Sequence, residues 1–202
     1  MTNNPKRIEM AKLQKSIDKQ AALLKATLSL INEGGIQSAS MSKVAKLANV
    51  SPATIYLYFE NKQDLVNQTY IDVKGIYTEY AFATYSENLS VEAGFELIWK
   101  RIADFKLNEC ENAFFLAQCD NTPMIDEPSR QEGIKHLKPL LDLWERGKKE
   151  GVIKPMSDYL LYAYAINPLS FLMISQKRDA FILDQSHIDQ AYQSAWDSIK
   201  IN

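Results

Sequence analysis

Apolar residues recur along the chain at the spacing of α-helices. In the first predicted helix they fall at steps of four, three, four and three, which places them on one face. They are Ile17, Ala21, Leu24, Leu28 and Ile31. Gly34 and Gly35 follow and supply the left-handed backbone that ends a helix. Few runs alternate as strands do, and there is no Asn-Gly or Asp-Gly hairpin pair. The predicted fold class is therefore all-α.

Residues 55–59, with the sequence IYLYF, are an exception because they alternate as a β-strand does. The preceding Ser51 can act as a helix N-cap, and Pro52 suits the first helical position because its missing N–H donor is no loss there. A strand this short between two helix starts would have no partner. We therefore expect a helix from Pro52 to Phe59, with Ile55 and Phe59 facing inward.

This helix and a short one near residues 42–48 have the spacing of a helix-turn-helix. The motif needs a small residue where the helices cross, which Ala45 provides, and a turn residue that tolerates positive φ, which Asn49 provides. It also needs inward aliphatic residues, which are Val50 and Ile55. The second helix would be about 12 Å long, comparable to the width of the DNA major groove. Its outward residues would then read DNA.

The remaining apolar stripes predict further helices. Their members are Val91, Phe95, Ile98, Ile102 and Phe105; Phe114, Ala117, Gln118 and Asn121; Ile134, Leu137, Leu141 and Trp144; and Ile188, Ala191, Tyr192, Ala195, Trp196 and Ile199. Residues 158–177 are apolar almost all round, which predicts one helix that is covered on more than one side and kinked at Pro168.

Composition limits the alternatives. The 202 residues, 46% of them hydrophobic, suit a globular protein of one domain or two small ones. Residues 159–166 form the longest strongly apolar stretch and are too few to span a membrane. The N-terminus lacks the apolar segment of a signal peptide, so we expect a cytoplasmic protein. Cys110 and Cys119 have no metal-ligand spacing and are expected to be buried free thiols.

Charge is distributed unevenly along the chain. Residues 1–62 contain nine Lys or Arg against four acidic residues, whereas the remainder contains 14 against 21. A basic N-terminal part attached to an acidic body suggests that one part meets a polyanion while the other repels it.

The stretch SMSKVAKLANVSPATIYLYFENKQDL, which begins at Ser40, resembles the DNA-binding domain of TetR-type (TetR/AcrR) transcriptional regulators. The resemblance extends over roughly residues 17–66 and is most specific in TIYLYF followed by Lys62. It implies a dimeric repressor with a DNA-binding domain and basic N-terminal arm over residues 1–66. Residues 67–202 would form a ligand-binding and dimerisation domain, whose small-molecule effector releases a palindromic operator.

The residues that would meet DNA by this resemblance are Ser42, Lys43, Pro52, Ala53, Thr54, Tyr56, Tyr58 and Lys62. Those at 42–43 and 52–54 would reach phosphates and base edges, the tyrosines would donate hydroxyls to phosphates, and the lysine would neutralise one. The sequence departs from the family at Asn49, where glycine is usual, and at Pro52-Ala53, where a pair ending in glycine is common. Asn tolerates the left-handed conformation, so the turn is expected to survive. The operator sequence is not predicted, and DNA recognition is expected to depend more on phosphate contacts and DNA shape.

The candidate ligand-binding residues are Trp99, Glu109, Phe114, Gln118, Trp144 and Tyr162. Aromatic residues could line a pocket, although aromatic stripes are more often packed core. Glu109 and Gln118 lie on or near apolar stripes, where an unpaired polar group would be costly. Placing Glu109 inside requires a helix that continues past Asn108, and would favour a cationic ligand. Otherwise a lipophilic, neutral or acyl-type ligand fits as well.

The predicted helices at residues 158–177 and 187–200 carry more apolar surface than one neighbour can cover. This predicts a homodimer through a four-helix bundle, against the alternative of a tightly packed monomer. A dimer also suits a palindromic operator with half-sites about one helical turn apart.

An enzyme is not expected. His136 and His187 are the two histidines and are expected to be exposed, and there is no GxSxG, HExxH or glycine-rich phosphate loop. No cofactor or metal is implied. A further alternative is a helical protein-interaction adaptor that does not bind DNA. Binding to duplex DNA that weakens steeply with salt would favour the regulator over both alternatives.

Overall fold

The computed structural model describes residues 5–201, without the side chains of Pro5, Arg7, Ile8 and Asn121. The first residues of the predicted basic arm and the predicted inward position of Asn121 lie outside this description. The described chain forms eleven α-helices: α1 (Pro5–Gly34), α2 (Met41–Leu47), α3 (Pro52–Ile55), α4 (Lys62–Phe82), α5 (Val91–Asn108), α6 (Cys110–Asn121), α7 (Glu127–Lys135), α8 (Lys138–Lys149), α9 (Asp158–Ala165), α10 (Pro168–Lys177) and α11 (Gln185–Ile199). A 3-10 helical turn, Ile36–Ser38, joins α1 to α2. The predicted all-α fold class is confirmed.

Side-chain caps set the starts of the N-terminal helices. Ser40, Ser51 and Asn61 precede α2, α3 and α4, and each side chain accepts a hydrogen bond from the backbone N–H three residues on, at 3.3, 3.2 and 3.0 Å. Ser90 and Ser157 cap α5 and α9 in the same way. Because each cap uses residues close together in sequence, these helix starts are specified locally.

The core lies where the helices of the body surround α5. Helix α5 packs against α4, α6, α8, α10 and α11, while α1 packs on α2, α4 and α6. Trp99 on α5 is fully buried, and its indole N–H donates to the Ala165 carbonyl at 2.8 Å. Ile153 and Lys200 form an isolated antiparallel bridge that ties the end of α11 to the segment after α8. No helix in the described part of the chain is long and apolar enough to cross a bilayer.

The prediction for the first helix is wrong in its N-terminal half. Leu24, Leu28 and Ile31 are buried as expected, but Ile17 and Ala21 are exposed. The helix begins at Pro5, so its first turns extend past the helices that cover its second half. The apolar spacing continues there, but Ile17 and Ala21 are left uncovered by the described residues.

The predicted helix at residues 158–177 is two helices. The N–H groups of Ile166 and Asn167 both bond to the Tyr162 carbonyl, at 3.0 and 2.9 Å, and α10 begins at Pro168. Proline cannot donate to the preceding turn and its ring clashes with the carbonyl four residues earlier. The chain therefore ends one helix and begins another instead of bending.

Two smaller predictions about exposure also need correction. Cys119 is buried as expected, but Cys110 is exposed because it begins α6 at the surface. Both histidines are half-buried rather than exposed. His187 completes a capping box with Asp184 at the start of α11, and its ring lies 4.7 Å from that of Phe181.

Candidate nucleic-acid interface and interior cavity

The turn between α2 and α3 has the conformation that the sequence predicts. Asn49 adopts a φ of 55°, in the left-handed region that Asn tolerates. The chain then turns back so that the Val50 N–H donates to the Ala45 carbonyl at 2.9 Å. Ala45 is fully buried, which leaves no room for a larger side chain at the crossing. The turn therefore places the start of α3 beside α2, as a helix-turn-helix requires.

The predicted helix from Pro52 to Phe59 is shorter, because regular α-helix ends at Ile55. Beyond it, the N–H groups of Leu57 and Tyr58 donate to carbonyls three residues earlier, at 3.0 and 3.1 Å. This tighter winding brings Phe59 into the core just before Asn61 caps α4. Ile55 and Phe59 are both buried, so their inward direction is confirmed.

The residues predicted to meet DNA differ in their exposure. Ser42, Lys43, Pro52, Ala53 and Tyr56 are exposed, and Thr54, Tyr58 and Lys62 are half-buried. The Thr54 hydroxyl lies 2.7 Å from that of Ser51, and the Tyr58 hydroxyl lies 3.1 Å from that of Ser16 on α1. Tyr58 therefore also links the helix-turn-helix to α1, whereas Tyr56 is 59% exposed.

Leu57 was missed by the sequence interpretation. It is 81% exposed between the two tyrosines, and Leu47 at the end of α2 is 54% exposed. Exposed aliphatic side chains on a basic surface suit contact with thymine methyl groups. The signal was available, because Leu57 follows Tyr56 on the helix and lies off the inward stripe of Ile55 and Phe59.

A cavity of about 280 Å³ lies in the body among α4, α6, α7, α8 and α9. Its apolar lining includes Leu137, Leu141 and Trp144, and its polar lining includes Lys74, Asp120, Arg130 and Tyr162. Past Lys74, Asp120 and Tyr162 a narrow crevice continues inward to Tyr77 and Lys106. The cavity thus combines an apolar wall with charged groups that meet at its inner end.

Burial changes the acidity of the groups at that inner end. It lowers the pKa of Lys74 and lowers that of Lys106 to about 8. It raises the pKa of Tyr70 to about 12, with the Asp120 carboxylate adding to the rise, and it also raises the pKa values of Tyr77 and Tyr162. At neutral pH the tyrosines are therefore neutral hydroxyls and Lys106 is mainly charged.

Two of the six candidate ligand-binding residues, Trp144 and Tyr162, line this cavity. Trp99 is fully buried instead, and Phe114 lies under the Lys177 ammonium, 3.8 Å from the ring centroid. The structure brings together no site that contains all six.

The two polar candidates have other roles in the structure. The Gln118 amide donates to the Asn32 side chain of α1 at 3.0 Å, which explains a polar group on an apolar stripe. Helix α5 ends at Asn108, and Glu109 is an exposed residue at the junction with α6. Neither side chain is among those that line the cavity.

The sequence interpretation overlooked Lys74 and Lys106, although a signal was present. Lys74 lies one residue after Val73 and three before Tyr77, and Lys106 follows Phe105, so both fall beside apolar stripes. The same argument that singled out Glu109 and Gln118 applies to these lysines. Long lysine stems usually extend to solvent, which is why the position alone drew no attention.

Helix α4 contacts both the cavity and the loop after α6. The Gln63 amide donates to the Met124 carbonyl at 3.0 Å, and the Asn67 amide donates to the Asp126 carboxylate at 2.6 Å. One turn further, Tyr70 lies so close to Gly133 of α7 that an added Cβ would be 2.5 Å from its hydroxyl. Changes at the cavity can therefore reach the helix that starts at Lys62.

Family models match most of the chain. Residues 23–69 match the model described as bacterial regulatory proteins, tetR family. Residues 91–200 match the model described as a tetracyclin repressor-like C-terminal domain. The two matched segments contain the helix-turn-helix and most of the cavity lining, respectively.

Individual relatives match this chain along nearly its whole length. An uncharacterized HTH-type transcriptional regulator from Haemophilus influenzae is 25% identical over 93% of this chain and 98% of its own. A TetR family transcription regulator from Marinobacter aquaeolei has a TM-score of 0.86 at 25% identity, covering 94% of this chain and 99% of its own. The regulator FadR from Bacillus subtilis in complex with stearoyl-CoA shares the fold alone, with a TM-score of 0.67 at 18% identity and coverage of 88% and 95%.

Proposed function

Because the chain belongs to the TetR family of bacterial transcriptional regulators, we propose that it is a dimeric repressor that a small-molecule effector releases from a palindromic operator. The observation that carries this proposal is the capped, left-handed turn at Asn49, which leaves the start of α3 exposed beside α2. An exposed short helix held beside α2 contributes little to packing of the core. This geometry is the arrangement with which a helix-turn-helix enters the major groove.

Contacts with DNA are assigned from the exposed residues. Pro52 and Ala53 would touch base edges with apolar groups, and Lys43 would reach a phosphate. The Tyr56 hydroxyl would donate a hydrogen bond to a phosphate of the DNA backbone. The Tyr58 hydroxyl would also bind a DNA phosphate while it keeps its contact with Ser16. With no Arg or Asn at the start of α3 to form bidentate base contacts, binding would depend strongly on phosphates and DNA shape.

Dimerisation is proposed through α9, α10 and α11. In the single chain these helices and the loop that follows α10 expose Tyr159, Tyr164, Phe171 and Ile182 by 57 to 83%. A soluble monomer rarely exposes so many large apolar side chains together. Pairing this surface with its copy by a twofold axis would cover it and would set two recognition helices for two half-sites.

Effector release is proposed to act through α4. Its first residue Lys62 would hold a phosphate, and Tyr70, about 12 Å further along the helix, lines the cavity. The boundary proposed between a DNA-binding unit (residues 1–66) and an effector unit (residues 67–202) falls within this helix. The FadR structure holds stearoyl-CoA, so a regulator of this fold takes a small-molecule ligand, and the cavity is the proposed site for one here.

The test is selection of bound sequences from random duplexes, followed by mobility-shift measurements over a salt series. We expect enrichment of a palindrome bound by two chains, with affinity that falls steeply as salt rises. Tyr56→Phe should weaken binding about fivefold, equivalent to one hydrogen bond, and Lys62→Ala should reduce the salt slope by about one. Lys149→Ala, an exposed lysine of α8, is the control and should change neither.

Selection that enriches no sequence would contradict the repressor proposal. In that case the protein would be better described as a helical adaptor. Enrichment of a half-site bound by one chain would keep DNA binding and reject the proposed dimer.

A further inference from the structure

Two lysines lie inside the body on neighbouring helices. Lys74 of α4 is 4% exposed and Lys106 of α5 is 5% exposed. Both line the crevice at the inner end of the cavity, and Lys74 lines the cavity as well. Buried ammonium groups are rare unless they are paired with an anion, so each one needs an explanation.

Their surroundings differ. The Lys106 ammonium donates to the Ser170 hydroxyl of α10 at 2.9 Å. The Lys74 ammonium lies 5.7 and 5.5 Å from the ring centroids of Tyr70 and Tyr77. Among the described residues, the Lys74 ammonium donates no hydrogen bond and has no carboxylate oxygen within 4.0 Å. It is a buried amine that faces the cavity without a direct anionic partner, and an anion beside it would favour its charged form.

Asp120 is the carboxylate that faces both lysines. It lines the cavity and the crevice, and its charge favours the protonated form of each lysine. It forms no ion pair with either of them among the described residues, and it is an exposed residue. Lys74, Lys106 and Arg130 thus lie around the cavity and its crevice with Asp120 and Asp158, and Asp158 is already paired with Lys148 at 2.7 Å. The basic groups therefore outnumber the carboxylates that are left to compensate them.

We propose that this cavity binds a monocarboxylate with an apolar tail, whose carboxylate pairs with Lys74 beside the crevice. The tail would pack on Leu137, Leu141 and Trp144 at the apolar wall. Carboxylate oxygens would also supply acceptors at an end of the cavity that holds lysine and tyrosine donors. This inference rests on the proposed function, because it names the chemical class of the effector at the same site.

Other ligand classes fit the charges less well. A cationic ligand would add a positive charge beside Lys74, Lys106 and Arg130. Glu109, which would have favoured such a ligand, lies on the surface. A neutral lipophilic ligand would leave Lys74 buried and unpaired at the inner end. A dianionic phosphate ester would have to be desolvated against an apolar wall, at a greater cost than a single carboxylate.

The experiment is titration calorimetry of the full chain with octanoate and benzoate, each compared with its neutral amide. We expect the acids to bind and the amides to bind at least about 30-fold more weakly, as for loss of one partner of a buried charge pair. Lys74→Met should reduce acid affinity by a similar factor while leaving amide affinity unchanged. Lys100→Met, an exposed lysine of α5, is the matched control.

Equal binding of acids and amides by the wild-type protein, or binding of neither acid, would overturn the carboxylate inference without any variant being made. Unchanged acid affinity in a folded Lys74→Met protein would overturn the role of Lys74. The same preparations are assayed for the selected DNA duplex. DNA binding without acid binding rejects this inference alone, whereas acid binding without DNA binding supports it and rejects the repressor.

Discussion

The N-terminal helices α1 to α3 and the body formed by α4 to α11 handle positive charge in opposite ways. On the first three helices, Lys43 and Lys46 are exposed. Inside the body, Lys74 and Lys106 are almost completely buried. A hydrated lysine costs nothing to fold and binds a polyanion with a strength that salt screens. A buried lysine destabilises the fold and is compensated only by an anion at the same place.

The contrast also concerns how each region is built. The turn and the caps of α2 and α3 use residues within a few positions of each other. The cavity brings together Lys74, Arg130 and Tyr162, which are far apart in sequence. A substitution at one cap in the first region should therefore affect only the helix that it caps. A substitution at the cavity should change the burial and charge of several residues together. Three substitutions test this difference, in decreasing order of expected effect.

The largest effect is expected for Lys106→Met. The pKa of Lys106 is about 8 in the folded protein, below the 10.5 of the unfolded chain, so the folded state binds fewer protons between these values. Stability then rises with pH across that window, and the full cost, about 3 kcal/mol, is present below about pH 8. The variant should be more stable than the wild type at about pH 7, by up to that amount.

Urea denaturation at about pH 7 and about pH 9 measures the difference, which should shrink as pH rises. The raised pKa values of the buried tyrosines act on both proteins alike and cancel in the comparison. Lys100→Met, at an exposed position paired with Glu96, is the control and should show little effect. A variant that is less stable than the wild type by the same amount at both pH values would show that burial of this ammonium carries no cost.

An intermediate effect is expected for Asn67→Ala, in the first turns of α4 within the body. Asn67 is buried, and its amide joins α4 to Asp126 at the start of α7. Loss of this amide leaves a carboxylate with one partner fewer and should destabilise the protein by about 2 kcal/mol. Urea denaturation is the measurement, with the exposed neighbour Gln68 changed to Ala as the control. Equal midpoints for the two variants would mean that this contact between α4 and α7 does not stabilise the body.

The smallest effect is expected for Ser51→Ala, which removes the cap of α3. Its side chain accepts the Thr54 N–H, and loss of an N-cap costs about 1 kcal/mol. Because α3 is only four residues long, we expect this loss to reduce operator affinity more than the unfolding midpoint. Ser51→Thr keeps the hydroxyl and should behave as the wild type. Equal operator affinity of the Ala and Thr variants would exclude the cap as an organiser of the recognition helix.

Local patterns account for the parts that could be predicted. The cap at Ser51, the left-handed turn at Asn49 and the inward positions of Ile55 and Phe59 follow from neighbours in sequence, and the structure has them. Ile17 shows the limit of the same approach. Its spacing indicated a buried face, but spacing does not reveal where the covering helices end.

The interior site required knowledge of distant residues. Gln118 was singled out as a polar residue on an apolar stripe, yet its partner, Asn32, lies 86 positions away. Lys74 had the same signal and has no such partner. Position along a helix can mark a buried polar group, but only the packing of separate helices decides whether that group is satisfied within the protein or left for a ligand.

Gly133 shows how closely α7 packs on α4 beside the cavity. Its hydrogen atom is all that fits against the ring of Tyr70, since even a Cβ would be 2.6 Å from a ring carbon. A methyl group there would act as a permanent wedge on α4 from the side of α7, without any small molecule. If the proposed effector release acts through α4, one carbon atom at position 133 would shift that helix in the absence of effector.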